Sequence, residues 1–385
     1  MNRLWLYSLL LLLGLFGSQF TNTLPPSLYR VLGPVLTFLA MTALAYIMIN
    51  VGREFQIDKS RTREYGWDYV VAVTAATFPW IFCAIYFVLV FSPPETWSGW
   101  PVWRDALLVA RFAAPTSAGI LFSMLAAAGL AATWVFKKAR ILAIFDDLDT
   151  VLLMIPLKIA VVGFSWALMG VIGIITAQLW LAWAYLHRWN IPHSSRWLFG
   201  YGIVIAATSE AIYFTTGLWN KVPIHIEVLL PAFVLGCMIK EEKHDTGGHT
   251  HQESRFDVVV SAAFMLLVGL SMPVVAWGDI TGEGSMAMVF VHVLVITVLA
   301  NLGKMFTVFC FRTEASWRQR MAVSIAMWPR GEVGAGVLIL SLSYGIGGAA
   351  VGVASLSLAL NLALTGVFIG IIRRLLVADG QLAEV

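Results

Sequence analysis

Long apolar runs separated by short polar stretches dominate this chain. Runs long enough to cross a bilayer, roughly 17–25 residues each, fall at about 4–20, 31–52, 67–92, 105–130, 139–163, 165–187, 197–218, 223–240, 256–276, 284–311, 318–344 and 349–372. The pattern predicts an all-α polytopic membrane protein with about twelve transmembrane helices. The residues that break the pattern matter most. Asp146, Asp147 and Asp149 sit inside the fifth run, and Pro329-Arg330-Gly331-Glu332 interrupts the eleventh. A charge at mid-bilayer costs on the order of 3 kcal/mol by insertion scales and marks a pathway or a partner.

Composition closes off the alternatives. Of 385 residues, 59% are hydrophobic and 12% charged, whereas soluble chains carry about 25% charge. A net charge of +3 without a basic tract excludes a nucleic-acid partner. Cys83, Cys237 and Cys310 lie in apolar runs without paired spacing, so neither a disulfide framework nor a cysteine metal site is expected.

Lysine and arginine orient the spans. Counted from a cytoplasmic N-terminus, the outer loops carry Arg30, Arg104 and Lys221. Arg111, Lys158, Lys304 and Arg330 fall within spans, which leaves eighteen of the 25 basic residues for the inner side. That asymmetry places both termini in the cytoplasm. The first run follows Met1-Asn2-Arg3 as a signal peptide would, but no clean small-x-small cleavage site follows it, so it is expected to stay as a span.

A repeat is also visible. Pro115 in span 4 and Pro329 in span 11 stand 214 positions apart, and the same offset carries Asp147 onto Asn361, a lone amide in span 12. Gly52 and Gly269, near the ends of spans 2 and 9, stand 217 apart. Spans 1–5 thus map onto spans 8–12, seven helices on, and an odd separation inverts the second copy. The expected organisation of 1–385 is one transmembrane domain. Repeat one covers about 4–163, linking helices about 164–218, and repeat two about 223–374. Helices 4 and 11 are discontinuous and cross at mid-membrane. Paired, interrupted helices of this kind characterise secondary transporters.

The chemistry follows from the breaks. A proline inside a helix frees the carbonyl four residues back, and such backbone persists in a membrane only where it lines a cavity or is buried in protein. Crossed breaks leave opposed helix-dipole ends, which Arg330 and Glu332 are placed to neutralise. Asp146 and Asp147 are consecutive, so on a helix they point about 100° apart. A carboxylate out of water holds a proton, and a nearby cation loosens it, so such a group can exchange a proton for a metal ion. Thr116, Ser117 and freed carbonyls supply the oxygens that hard cations prefer. Lys304, deep in span 10, needs an anion, for which Asp146 is a candidate. Lys158 lies about three turns after Asp147 and nearer the outer end, where it can snorkel. Glu210 has no evident partner. The His244, His249 and His251 loop matches no standard metal spacing and reads as a solvated linker.

Several of these segments resemble the cation/proton antiporter superfamily, the sodium/proton exchangers of the two-aspartate, NhaA-like type. Pro329-Arg330-Gly331-Glu332-Val333-Gly334 resembles the superfamily's PRGEVG stretch in its broken eleventh helix. Asp146-Asp147 resembles the two-aspartate motif of helix 5, Gly303-Lys304 the lysine of helix 10, and Val268-Gly269-Leu270-Ser271-Met272 a VGMS-type segment. The resemblance implies that Asp147 carries the metal cation and the proton, and that Asp146 pairs with Lys304. It also implies a core of spans 3–5 and 10–12 moving against a dimerisation domain, electrogenic exchange, and a homodimer in the plasma (inner) membrane. Sodium, lithium or potassium and protons are then cargo; no cofactor and no enzymatic activity are expected. Asp149, Lys158 and Asn361 are candidates for tuning the site. Asp149 departs from the family pattern, as does the Ala114-Pro115-Thr116-Ser117 break. The alternatives are potassium efflux or cation-coupled symport on the same fold, or a non-transporting sensor or complex subunit. An intramembrane aspartyl protease needs aspartates from two helices, and the adjacent pair here does not provide them.

Overall fold

Small residues and prolines decide how these helices pack and where they stop. The computed structural model describes residues 2–20, 25–53, 62–162, 166–219, 228–240, 255–272, 286–343 and 346–380. The described residues form helices and no strand, with one isolated bridge between Trp189 and Ile239. They are α1 (Asn2–Gln19), α2 (Pro26–Arg53), α3 (Thr62–Phe91), α4 (Trp100–Ala110), α5 (Ala118–Ala127), α6 (Trp134–Val162), α7 (Trp166–Ala184), α8 (Ser195–Trp219), α9 (Leu229–Met238), α10 (Arg255–Leu270), α11 (Met286–Lys304), α12 (Trp317–Ala326), α13 (Glu332–Ser343) and α14 (Ala349–Ala378). Among the described residues six stretches are long and apolar enough to cross a membrane: Leu32–Arg53, Arg63–Phe91, Trp100–Ala127, Ser195–Gly217, Met286–Phe309 and Ala349–Ala378. The chain is an integral membrane protein. At 29 residues α6 is also long enough, but it carries the acid cluster. The histidine loop lies outside the described residues.

The helices gather into two units. The first comprises Met1–Leu24, Arg63–Leu157 and Val268–Val385. It holds α3 to α6 and α11 to α14, the spans expected to form the core, and it takes in α1 as well. Backbone contact ties these helices together. A Cβ on Gly303 of α11 would stand 2.4 Å from the Pro79 nitrogen of α3, and one on Gly269 would stand 2.4 Å from the Leu11 carbonyl of α1. Helices without side chains at the contact approach closely and gain dispersion energy, the usual device where lipid removes the hydrophobic incentive to associate. The start of α12 is fixed by a reciprocal cap: the Gln319 N–H donates to Ser316 Oγ at 3.2 Å, and the Ser316 N–H to Gln319 Oε1 at 3.1 Å. Near one end of the unit, Lys138 bridges Asp68 and Glu314, each at 2.9 Å.

The second unit comprises Pro25–Thr62 and Lys158–Leu267. Here α2 is the hub, packed on α8 and α9. Gly52 and Gly236 face each other: a Cβ on either would fall within 2.3 Å of a carbonyl of the other helix. Buried Tyr46 on α2 meets the rings of Phe199 and Phe256 edge-on and donates its hydroxyl to Asp257.

Candidate functional site

The site is built where two helices of the first unit stop in mid-course. Helix α4 ends at Ala110 and tightens into a single 3-10 turn over Arg111–Ala113. The chain then runs non-helically until Ser117, which is extended, and resumes as α5 at Ala118. Pro115 removes a backbone donor and crowds the preceding turn, which favours a break. Pro34, Pro79 and Pro156 lie inside continuous helices, so the cross-bonds between the two breaks complete the cause here. Every residue from Leu108 to Leu125 is buried, so the break is enclosed by protein. A second break follows α12, from Met327 through Pro329 to Gly331, before α13 starts at Glu332.

The two breaks bond to each other. The Ser117 N–H donates to the Pro329 carbonyl at 2.9 Å. Thr116 Oγ1 donates to the Met327 carbonyl at 3.0 Å, and Arg330 Nε to the Ala113 carbonyl at 2.9 Å. Thr116 and Arg330 are 214 positions apart, and so are Ala113 and Met327. Each break therefore lends one side chain to the equivalent carbonyl of the other. Gly331 and Gly334 allow the approach: a Cβ at 331 would press on Ile120 at 2.8 Å and on Ser117 Oγ at 3.0 Å, and one at 334 would stand 3.0 Å from the Phe112 carbonyl.

Charges match the exposed helix ends. Arg330, only 1% exposed, spreads its guanidinium over four acceptors: the carbonyls of Ala113, Trp328 (3.0 Å) and Ala300 (2.8 Å), and Asn301 Oδ1 at 2.6 Å. Two of these carbonyls terminate the α4 and α12 segments, where a cation is favoured. Asn301 Oδ1 also accepts from Asn361 Nδ2 at 3.0 Å, which ties α14 to the same centre.

Asp146 and Lys304, each 0% exposed, form an ion pair with Nζ 2.8 Å from Oδ2. The same carboxylate oxygen accepts the Thr116 N–H at 2.7 Å, just ahead of α5, where an anion is favoured. Lys304 Nζ further donates to the Ala114 carbonyl at 2.6 Å and to Thr116 Oγ1 at 3.1 Å. The ammonium thus sits among three oxygens of different kinds: a carboxylate, a hydroxyl and a freed carbonyl. Hard monovalent cations take such oxygens, so an ion reaching this point would compete with the ammonium for the same atoms.

The sequence-derived candidates divide into three groups. Asp146, Thr116, Ser117, Lys304, Arg330 and Asn361 converge on the crossed breaks. Asp149 is buried on α6 one turn beyond Asp146, where Tyr69 of α3 bears on its carboxyl. Asp147 and Lys158 lie on α6 and Glu332 opens α13, but their side chains lie outside the described residues. Sequence reasoning gives no part to Asn301, Tyr69 or Arg111. Asn301 stands three residues before Lys304, on the same helical face, and that spacing is the available signal. Arg111 stands four residues before Pro115, and its carbonyl accepts the Ala114 N–H at 3.1 Å in the 3-10 turn.

No protein-family model matches the chain, and no curated protein matches it either. Among solved structures it resembles the sodium proton antiporter MjNhaP1 from Methanocaldococcus jannaschii, with a TM-score of 0.56 and 13% identity. The likeness covers 96% of this chain and 91% of that one. At that identity the likeness establishes a shared fold, which extends over nearly the whole of both chains.

Proposed function

We propose that the protein is a secondary active antiporter that exchanges a monovalent cation, sodium in the first instance, for protons. The observation that carries this reading is the buried Asp146–Lys304 pair at the meeting of two broken helices. Buried charges are costly, and removing one member of such a pair leaves the other uncompensated. A retained pair among backbone oxygens is suited to being opened by an ion. The fold shared with a sodium proton antiporter supports the same conclusion.

In the proposed cycle Asp147, on α6 beside Asp146, carries either the proton or the metal ion. A carboxylate cannot hold both at once, and that exclusivity couples the two fluxes. Lys304 neutralises Asp146 while the site is empty and yields its oxygens as the cation arrives. The exchange of side chains between the two breaks across the 214-residue offset supports two inverted repeats in about twelve spans. The α3–α6 and α11–α14 bundle is then the core that alternates access against a dimerisation domain of a homodimer. The distribution of arginine and lysine supports both termini in the cytoplasm. The two-aspartate motif supports electrogenic exchange.

The test is purified protein in liposomes under an imposed proton gradient, with a trapped pH dye and each alkali cation added in turn. Antiport predicts a cation-dependent collapse of the gradient. Collapse in potassium alone selects potassium efflux, and no response to any alkali cation removes the antiport reading.

A further inference from the structure

At one end of the first unit, arginines are set over exposed aromatic rings. Helix α11 finishes there in the Met305–Phe309 segment, and a short connector leads into α12 at Trp317. Phe309 and Trp317, each 53% exposed, stand 6.4 Å apart between ring centroids. The Arg312 guanidinium lies 5.9 Å from the centre of the Phe309 ring, and that of Arg320 lies 5.4 Å from the centre of Trp317. Both are within reach of cation–π attraction. Arg320 is also held by the backbone: Nη1 donates to the Val308 carbonyl at 3.0 Å and Nε to the Ser316 carbonyl at 3.4 Å. The acids of this end are engaged. Glu314 pairs with Lys138 at 2.9 Å, and Asp379 accepts from Ser316 Oγ at 2.7 Å.

An apolar track runs from this platform along α11. Leu294, Val298, Leu302, Phe306 and Phe309 recur at three- or four-residue intervals, and all are exposed. At 1.5 Å per residue they extend about 22 Å, more than the roughly 15 Å depth of hydrocarbon in one leaflet. Aromatic rings at headgroup level are common wherever a helix leaves a bilayer. Two features go beyond that rule. Two guanidinium groups face one aromatic pair at the head of an apolar stripe, and one of them is pinned to carbonyls instead of swinging in water. Arginine's planar fork suits a phosphate, and a fork already held in place loses less entropy on binding one.

We propose that this platform binds one anionic phospholipid: Arg312 and Arg320 hold its phosphate over the Phe309–Trp317 pair, and an acyl chain lies along the exposed α11 stripe. The lysine and arginine distribution puts this end of the unit in the inner leaflet, where anionic headgroups attract basic residues. None of these residues belongs to the crossed breaks, so the proposal stands or falls apart from the antiport reading.

The test titrates full-length purified protein in detergent with phosphatidylglycerol, with phosphatidylcholine of the same acyl chains, and with inorganic phosphate. Native mass spectrometry counts bound lipid, and the thermal unfolding midpoint reports stabilisation. One phosphatidylglycerol should bind and raise the midpoint, and neither of the other two should do so at the same concentration. Equal retention of both lipids, or an equal rise with inorganic phosphate, overturns the proposal. Arg312→Gln removes an exposed charge and should weaken phosphatidylglycerol binding about fivefold, the loss expected of one basic contact with an anionic lipid surface. Arg196→Gln, at the exposed start of α8 in the second unit, should leave that binding unchanged. Binding by Arg312→Gln no weaker than by Arg196→Gln would mean that the attraction is diffuse, and it overturns the proposal as well.

Discussion

Lys304 on α11 and Asp146 on α6 stand 158 positions apart in the chain, yet Nζ lies 2.8 Å from Oδ2 with neither side chain exposed. Breaking such a pair from one side costs about 3–5 kcal/mol, whereas removing both members can be nearly neutral. Asp146→Asn and Lys304→Gln should each lower the thermal unfolding midpoint in detergent, and the double variant should recover much of the loss. Additive losses, within the roughly 0.5 kcal/mol scatter of independent sites, would show that the pair does not interact.

Arg330 tests the crossing itself. Its fork reaches acceptors on three separate segments, near Ala113, Asn301 and Trp328. Arg330→Lys keeps the charge but presents one nitrogen in place of a planar array. Each hydrogen bond from a charged group contributes about 1.5–3 kcal/mol, so the substitution should lower stability and slow exchange together. A lysine variant as stable and as active as wild type would mean that the positive charge alone suffices.

Two glycines give opposite expectations. Gly303→Ala drives a methyl into the Pro79 backbone, forcing α11 from α3 right beside Lys304; overpacking of this kind costs about 1–3 kcal/mol. Gly336, inside α13, has nothing within 4 Å of the place its Cβ would take, so Gly336→Ala should be neutral or stabilising by up to about 1 kcal/mol through helix propensity. Equal effects in thermal unfolding would remove the claim that close α3–α11 contact positions the lysine.

Much of this site is legible in the sequence because the membrane makes polarity conspicuous. Asp146, Lys304 and Arg330 stand out against apolar surroundings, and the small and polar residues beside Pro115 and Pro329 set them apart from Pro34, Pro79 and Pro156, which lie inside continuous helices. The Asp146–Lys304 pairing is a different matter, since the residues alone make Asp146 a candidate anion and the family resemblance supplies the rest. The Asn301–Asn361 contact and the exchange between Thr116 and Arg330 are not legible. Both depend on how the two breaks cross, and no local periodicity encodes a crossing. In the sequence Arg111 is a charge within a span with no task, because its partners come from α3 and α6. Span ends are less readable than span centres. The run at 105–130 resolves into α4, a 3-10 turn and α5, and the run at 284–311 finishes in a 3-10 segment, Met305–Phe309.

The central claim is that one carboxylate on α6 alternates between a proton and a metal ion, and radiolabelled sodium measures it most directly. Liposomes containing wild-type protein, loaded with the label, should release it when an inward proton gradient is imposed. Asp147→Asn preserves size while removing both charge and titration, so folded protein carrying it should hold the label under the same gradient. Release from that variant at the wild-type rate would contradict the account, whatever the stability of the Asp146–Lys304 pair.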